Sequence, residues 1–149
     1  MNIVSGMGPA SDRPSPLVLR LLPFVHRPPA RVLVLGAGPD GAALDARGYR
    51  VTVLDLDGGQ QVLVAEFGQT DFAGEYDLIC EHGALATMDA GRYAAAAARA
   101  LRSGGQLFGA FPGGDVGSLI RAFAADFEPT RLEPGRFADG SLEAIFTRR

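Results

Sequence analysis

The sequence predicts a single α/β domain built on a mainly parallel sheet. Two observations point to it. Short apolar runs alternate along the chain with helix-like stretches, the rhythm of strand–helix–strand units. At 149 residues, 47% hydrophobic and 21% charged, the chain is long enough to bury one sizeable core. No internal repeat interrupts the pattern.

Taken in order, residues 1–16, "MNIVSGMGPASDRPSP", are rich in Gly, Ser and Pro and are expected to be flexible, leaving 17–149 as the domain. Leu17–Val25 reads as a short apolar helix perturbed by Pro23. "HRPPA" forces an extended entry into the first strand, Arg31–Leu35, whose continuous apolar run suits burial on both faces. Gly36–Gly41 is a loop, Ala42–Arg47 a short helix closed by Gly48, and Tyr49–Leu54 the second strand. "YDLIC", Tyr76–Cys80, is a further strand. Asp89 can N-cap a helix running to about Arg102, with Tyr93, Ala97 and Leu101 on one face. Its run Ala94–Ala98 costs little entropy in a helix and lets it lie close to a sheet. Ser103-Gly104-Gly105 is expected to end that helix before the strand "QLFGAF". Gly117–Phe127 reads as a helix, and "TRLEPGRFADGSLEAIFTRR" as two strands around a turn.

The chemistry begins in the first loop. Gly36-Ala37-Gly38-Pro39-Asp40-Gly41 matches G-x-G-x-x-G, where glycines let the backbone turn tightly and approach a ligand. Asp55 follows Gly36 by nineteen residues and ends the second strand, where a carboxylate can accept from both ribose hydroxyls. The pair points to a ribose-bearing ligand and leaves dinucleotides and S-adenosylmethionine both open. A glycine turn beside a solvated Asp55 is the purely structural alternative.

The downstream half tips the choice. "GEYDLICEHGALATMDAGRYAAAAARALRSGGQLFGAF" resembles the middle of class I S-adenosylmethionine-dependent methyltransferases, with "LRSGGQLFGAF" a close match to their helix–turn–strand unit. "PSPLVLRLLPFV" and "ARGYRVTVLD" look most like small methyltransferases of the thiopurine and tellurite-resistance kind. The resemblance implies a Rossmann-like methyltransferase fold with an antiparallel C-terminal strand, S-adenosylmethionine as cofactor and a small-molecule methyl acceptor. Under it Gly36, Ala37 and Gly38, with Pro39, face the methionine part of the cofactor. Asp55, with Leu56, holds the ribose. Glu66-Phe67, or else Asp71-Phe72, approach the adenine. Glu81 and His82 border the cofactor and the acceptor opening. His82 is then the candidate base for a hydroxyl or amine acceptor, with Glu81 assisting, whereas a thiolate acceptor needs no base. The alternative reading of both is as polar loop residues.

One departure stands out. Only Leu56–Gln61 separate Asp55 from "VLVAEF", and six residues cannot make a parallel crossover. Asp57-Gly58-Gly59 predicts a hairpin instead, so the second–third strand unit reads as a truncated antiparallel ribbon. A stubby helix Gln60–Phe67 suits the β-branched Val62 and Val64 less well. A strand running backwards would carry Glu66 away from the cofactor. The missing helix would bare one sheet face, which Leu17–Val25 or a second copy of the chain is expected to cover.

Composition excludes other classes. A net charge of -3 argues against a nucleic-acid partner. Every positive charge is an arginine. Cys80 is the lone cysteine and reads as a buried small hydrophobe; with only His26 and His82 besides, no metal site is expected. "LVLRLLPFV" is too short, and too broken by Arg20 and Pro23, for a membrane span or signal peptide, so a cytoplasmic location is expected. Two other readings stand beside the methyltransferase: a non-catalytic binding or assembly module of the same ancestry, and an NAD- or FAD-binding domain suggested by "GAGPDG" taken alone.

Overall fold

The computed structural model describes residues 2–4, 16–35, 39–55, 73–82, 89–111, 116–134 and 142–149. Among them, seven strands form one sheet: β1 (Asn2–Val4), β2 (Arg31–Leu35), β3 (Arg50–Asp55), β4 (Tyr76–His82), β5 (Leu101–Phe111), β6 (Phe127–Pro134) and β7 (Leu142–Arg148). Their order is β1-β3-β2-β4-β5-β7-β6. The four strands β3, β2, β4 and β5 run parallel. β1 pairs antiparallel with β3 at one edge, and β7 and β6 close the other edge antiparallel. The helices are α1 (Pro16–Leu21), α2 (Pro39–Ala46), α3 (Ala90–Ala100) and α4 (Val116–Phe123).

Strand alternation sorts the core into two layers. Leu33, Leu35, Leu54, Ile79, Leu107 and Phe146 face α3 and α4, where they meet Tyr93, the buried alanines and Phe123. Val32, Val34, Val51, Val53, Cys80 and Phe108 face the other way, toward Val18 and Leu21 of α1 and Leu44 of α2. Ala94, Ala96, Ala97, Ala98 and Ala100 are all buried, so small side chains do let α3 lie close to the sheet. Asp89 caps α3 by accepting from the backbone N–H of Arg92 at 2.9 Å. Cys80 is buried, and that burial pushes its thiol well up, with Asp40 and Glu81 adding to the effect.

Several boundaries differ from the sequence reading. α2 starts at Pro39, three residues before Ala42, because proline suits the first helical position. α3 stops at Ala100, and Leu101 already pairs with Tyr76 in β5, which runs through Gly104 and Gly105. The gain is Leu101 buried between helix and sheet. α4 stops at Phe123 and β6 begins at Phe127, since Pro129 bars helix there and biases Glu128 toward extended backbone. Part of the leader expected to be flexible, Asn2–Val4, is the edge strand β1. The predicted ribbon at 56–67 lies outside the described residues.

The amino edge of the sheet is tied to the segment after α1. The backbone N–H of His26 donates to Gln106 Oε1 at 2.8 Å, Gln106 Nε2 donates to the Phe24 carbonyl at 3.2 Å, and Tyr49 Oη donates to the His26 carbonyl at 2.9 Å. Beside them Asp77 takes the Arg102 side chain and the Arg31 backbone N–H. Burial alone would raise the Asp77 carboxyl, but these partners outweigh it and hold it below the ordinary range.

Candidate functional site

The opposite, carboxyl edge is where the sequence clues converge. Leu54, Leu35 and Glu81 stand side by side in register across β3, β2 and β4. The glycine loop leaves β2, Asp55 ends β3, and Glu81–His82 end β4, so these three points sit on adjacent strands roughly 5 Å apart. From β2 the chain passes to β3 on one side, and later to β4 on the other. The resulting switch point lies at these strand ends, the usual ligand position in such sheets.

Some of the predicted residues belong to described elements. Pro39 starts α2, Asp55 ends β3 opposite Asn2 of β1, and His82 ends β4 opposite Ala110 of β5. Gly36, Ala37, Gly38, Leu56, Glu66, Phe67 and Asp71 lie outside the described residues. Gly41, the last glycine of the motif, has a visible task. A Cβ there would stand 3.0 Å from Val53 Cγ2, so its absence lets α2 press against β3. Among the described residues no cluster of His, Cys, Asp or Glu could hold a metal ion, and no helix is long and apolar enough to cross a membrane.

Glu81 is fully buried, on the face of the sheet that carries α3. Tyr93 Oη donates to Glu81 Oε1 at 2.7 Å. Burial first, and then the Glu81 carboxylate, push the Tyr93 phenol well above its ordinary range, so it stays a donor. On the other side Gly109 of β5 packs directly against the Glu81 backbone. Glu81 thereby fixes the end of β4, one residue before His82. Tyr93→Phe is expected to leave a buried Glu81 oxygen without this donor at about 2 kcal/mol, lowering the melting temperature by roughly 4–8 °C. Thermal unfolding checks this, and an unchanged midpoint would show that the bond does not hold Glu81.

Sequence reasoning missed Tyr93 as a site residue, since it fitted the apolar stripe of α3. The signal was in β4, where Glu81 shares the inward alternation of Ile79 and an acid there demands a buried partner. Among the described residues the buried polar or charged side chains are Asp40, Glu81 and Glu143, all acids. Glu143 pairs with Arg20 of α1.

No protein-family model matches the chain, and no curated protein matches it by sequence. Solved structures do match. A TehB-like SAM-dependent methyltransferase from Corynebacterium glutamicum superposes with a TM-score of 0.67 at 20% identity, covering 89% of this chain and 85% of that one. The 1,6-didemethyltoxoflavin-N1-methyltransferase of Burkholderia thailandensis, solved with 1,6-didemethyltoxoflavin and S-adenosylhomocysteine, gives 0.67 at 22% identity over 89% and 76%. The N-methyltransferase NodS from Bradyrhizobium japonicum gives 0.60 at 15% over 89% and 92%. The fold is that of class I S-adenosylmethionine-dependent methyltransferases. Within this methyltransferase fold, the strand beside β3 is supplied by Asn2–Val4, running antiparallel.

Proposed function

We propose that the chain is an S-adenosylmethionine-dependent methyltransferase that acts on a small molecule by in-line methyl transfer. What supports this reading is that β2, which precedes the glycine motif in sequence, β3, which ends in Asp55, and β4, which ends in His82, are adjacent strands at the switch point of a methyltransferase fold. The residues suit the cofactor. Gly41 seats the start of α2 against β3, and Asp55 ends the neighbouring strand at the height where a ribose would lie. The toxoflavin enzyme, with 1,6-didemethyltoxoflavin and S-adenosylhomocysteine bound, supports both the cofactor and the acceptor class.

S-adenosylmethionine supplies, when bound, an electrophilic methyl group on a sulfonium. The chain's own contribution is to orient that group toward the acceptor and exclude water, which can account for most of the acceleration. Gly36, Ala37, Gly38 and Pro39 take the methionine end, Asp55 and Leu56 the ribose, and Glu66, Phe67 or Asp71 the adenine. His82 receives the proton of a hydroxyl or amine acceptor, and Glu81 supports it by fixing the end of β4.

Calorimetric titration with S-adenosylmethionine and S-adenosylhomocysteine, with NAD and FAD as controls, tests the reading. Micromolar binding, about -8 kcal/mol, is expected for the methyl-cycle ligands alone. Asp55→Ala should weaken it about tenfold or more, because two hydroxyls lose a charged acceptor. Binding of NAD or FAD instead would make this a dinucleotide domain. Binding of none would make it a non-catalytic module.

A further inference from the structure

One charged pair at the carboxyl edge joins α1 to β7. Glu143 lies near the start of β7 with only 4% of its surface exposed, and its carboxylate takes the Arg20 guanidinium of α1 from 123 residues away. By alternation with Ile145, Glu143 faces α1 rather than α3. Replacing such a buried ion pair by apolar side chains is often neutral or stabilising, so stability alone is a weak reason to keep one. α1 has other anchors in any case: Val18 and Leu21 are fully buried, and the residues that follow it are bonded to Gln106 and Tyr49.

Position suggests a different task. Register puts His82, Ala110 and Glu143 in one row across β4, β5 and β7. Glu143 therefore lies two strands from His82, roughly 10 Å, on the side of the switch point away from β2 and Asp55. That side is left for the acceptor once the cofactor occupies the ends of β2, β3 and β4. Arg20 lies over this row with about a third of its side chain (32%) open. A guanidinium has five N–H donors, and Arg20 gives one nitrogen to Glu143; its Nε is buried, so the N–H groups left for a ligand are those at the open tip of the fork. A planar fork clamped from below by a buried carboxylate, with donors to spare, is the form in which arginine reads oxyanions.

We propose that Arg20, positioned by Glu143, binds an oxyanion group of the methyl acceptor, a carboxylate or a phosphate. The inference rests on the methyltransferase reading and gives its acceptor a chemical class.

The full-length protein would be titrated with benzoate against benzamide, and with phenyl phosphate against phenol, with and without S-adenosylhomocysteine. Calorimetry and the Arg20 Nε–H resonance report binding. The expected result is that one or both anions bind S-adenosylhomocysteine-loaded protein about tenfold tighter than their neutral partners and shift that resonance. Which anion wins separates carboxylate from phosphate. Arg20→Met should erase the preference. Arg20→Lys, which keeps the charge and loses the fork, should retain only part of it and guards against a folding defect in the first variant. If S-adenosylhomocysteine binds but neither anion is preferred, or Arg20→Met and Arg20→Lys leave the preference intact, the inference is overturned and the methyltransferase reading stands. If S-adenosylhomocysteine itself fails to bind, the methyltransferase reading falls and the acceptor role of Arg20 falls with it.

Discussion

Gly109→Ala is expected to cost about 4 kcal/mol or more and to abolish binding of S-adenosylhomocysteine. A Cβ at this position would stand 1.9 Å from the Glu81 carbonyl oxygen and 2.8 Å from its carbon, far inside contact distance and against backbone rather than a side chain that could turn away. The glycine also has φ +152°, which L residues rarely adopt. Overpacking and backbone strain each contribute about 1–3 kcal/mol, and here they coincide. The midpoint should fall by roughly 8–16 °C for a chain of this size. Relief is available only by parting β4 from β5 at Glu81, the residue that precedes His82, so the site should suffer before the whole fold does. Thermal melts with and without S-adenosylhomocysteine measure both effects. A wild-type midpoint for G109A would mean that the two strands do not approach so closely.

Phe123→Ala is the second large effect, expected at about 3–5 kcal/mol. Phe123 stacks on Phe146 with ring centroids 4.7 Å apart and meets Tyr93, Phe111 and Phe127 edge-on at 6.1, 6.2 and 5.5 Å. It thereby joins α4 to α3 and to three strands, and no neighbour can fill a phenyl-sized hole while keeping its own contacts. Tyr93 is one of those neighbours, so the cavity also loosens the support of Glu81. Phe123→Leu keeps most of the volume and should cost less, about 1.5 kcal/mol. Chemical denaturation of the two variants, read beside S-adenosylhomocysteine affinity, separates simple destabilisation from loss of the Tyr93 support. Equal costs for alanine and leucine would show that the cluster is loosely packed.

The parallel core was legible in the sequence because its signals are local. "RVLVL" and "YRVTVL" read as strands from their own apolar runs; β2 occupies the first, and β3 lies one residue later than the second, at Arg50–Asp55. Asp89 was legible as a cap because its bond partner, Arg92, is three residues away. Helix ends were less legible. The sequence placed the end of α3 at the Ser-Gly-Gly turn, yet pairing of Leu101 with Tyr76 outweighed helix propensity, and the strand began at once.

The candidate site divides in the same way. Its position, above the ends of β2, β3 and β4, followed from motif order. The surroundings of its charged side chains did not. Nothing near Glu81 in the chain names Tyr93 as its partner, twelve residues on and across a helix, and nothing near Arg20 names Glu143. An acid on the inward alternation of a strand announces that a partner exists without saying which.

By itself, then, the sequence determined the alternating strands and helices, Asp55 at the end of the second strand, and the pair of strands that closes the chain. These depend on side-chain periodicity and backbone preference within a few residues of each other. Only the tertiary structure decided which strand lies beside β3, where Glu81 is buried, and that α1 meets β7 through Arg20. A sheet edge offers the same row of backbone donors and acceptors to any strand that reaches it. Residues 2–4 reach it from a distant part of the chain, and pairings over such separations are settled by packing, not by local pattern.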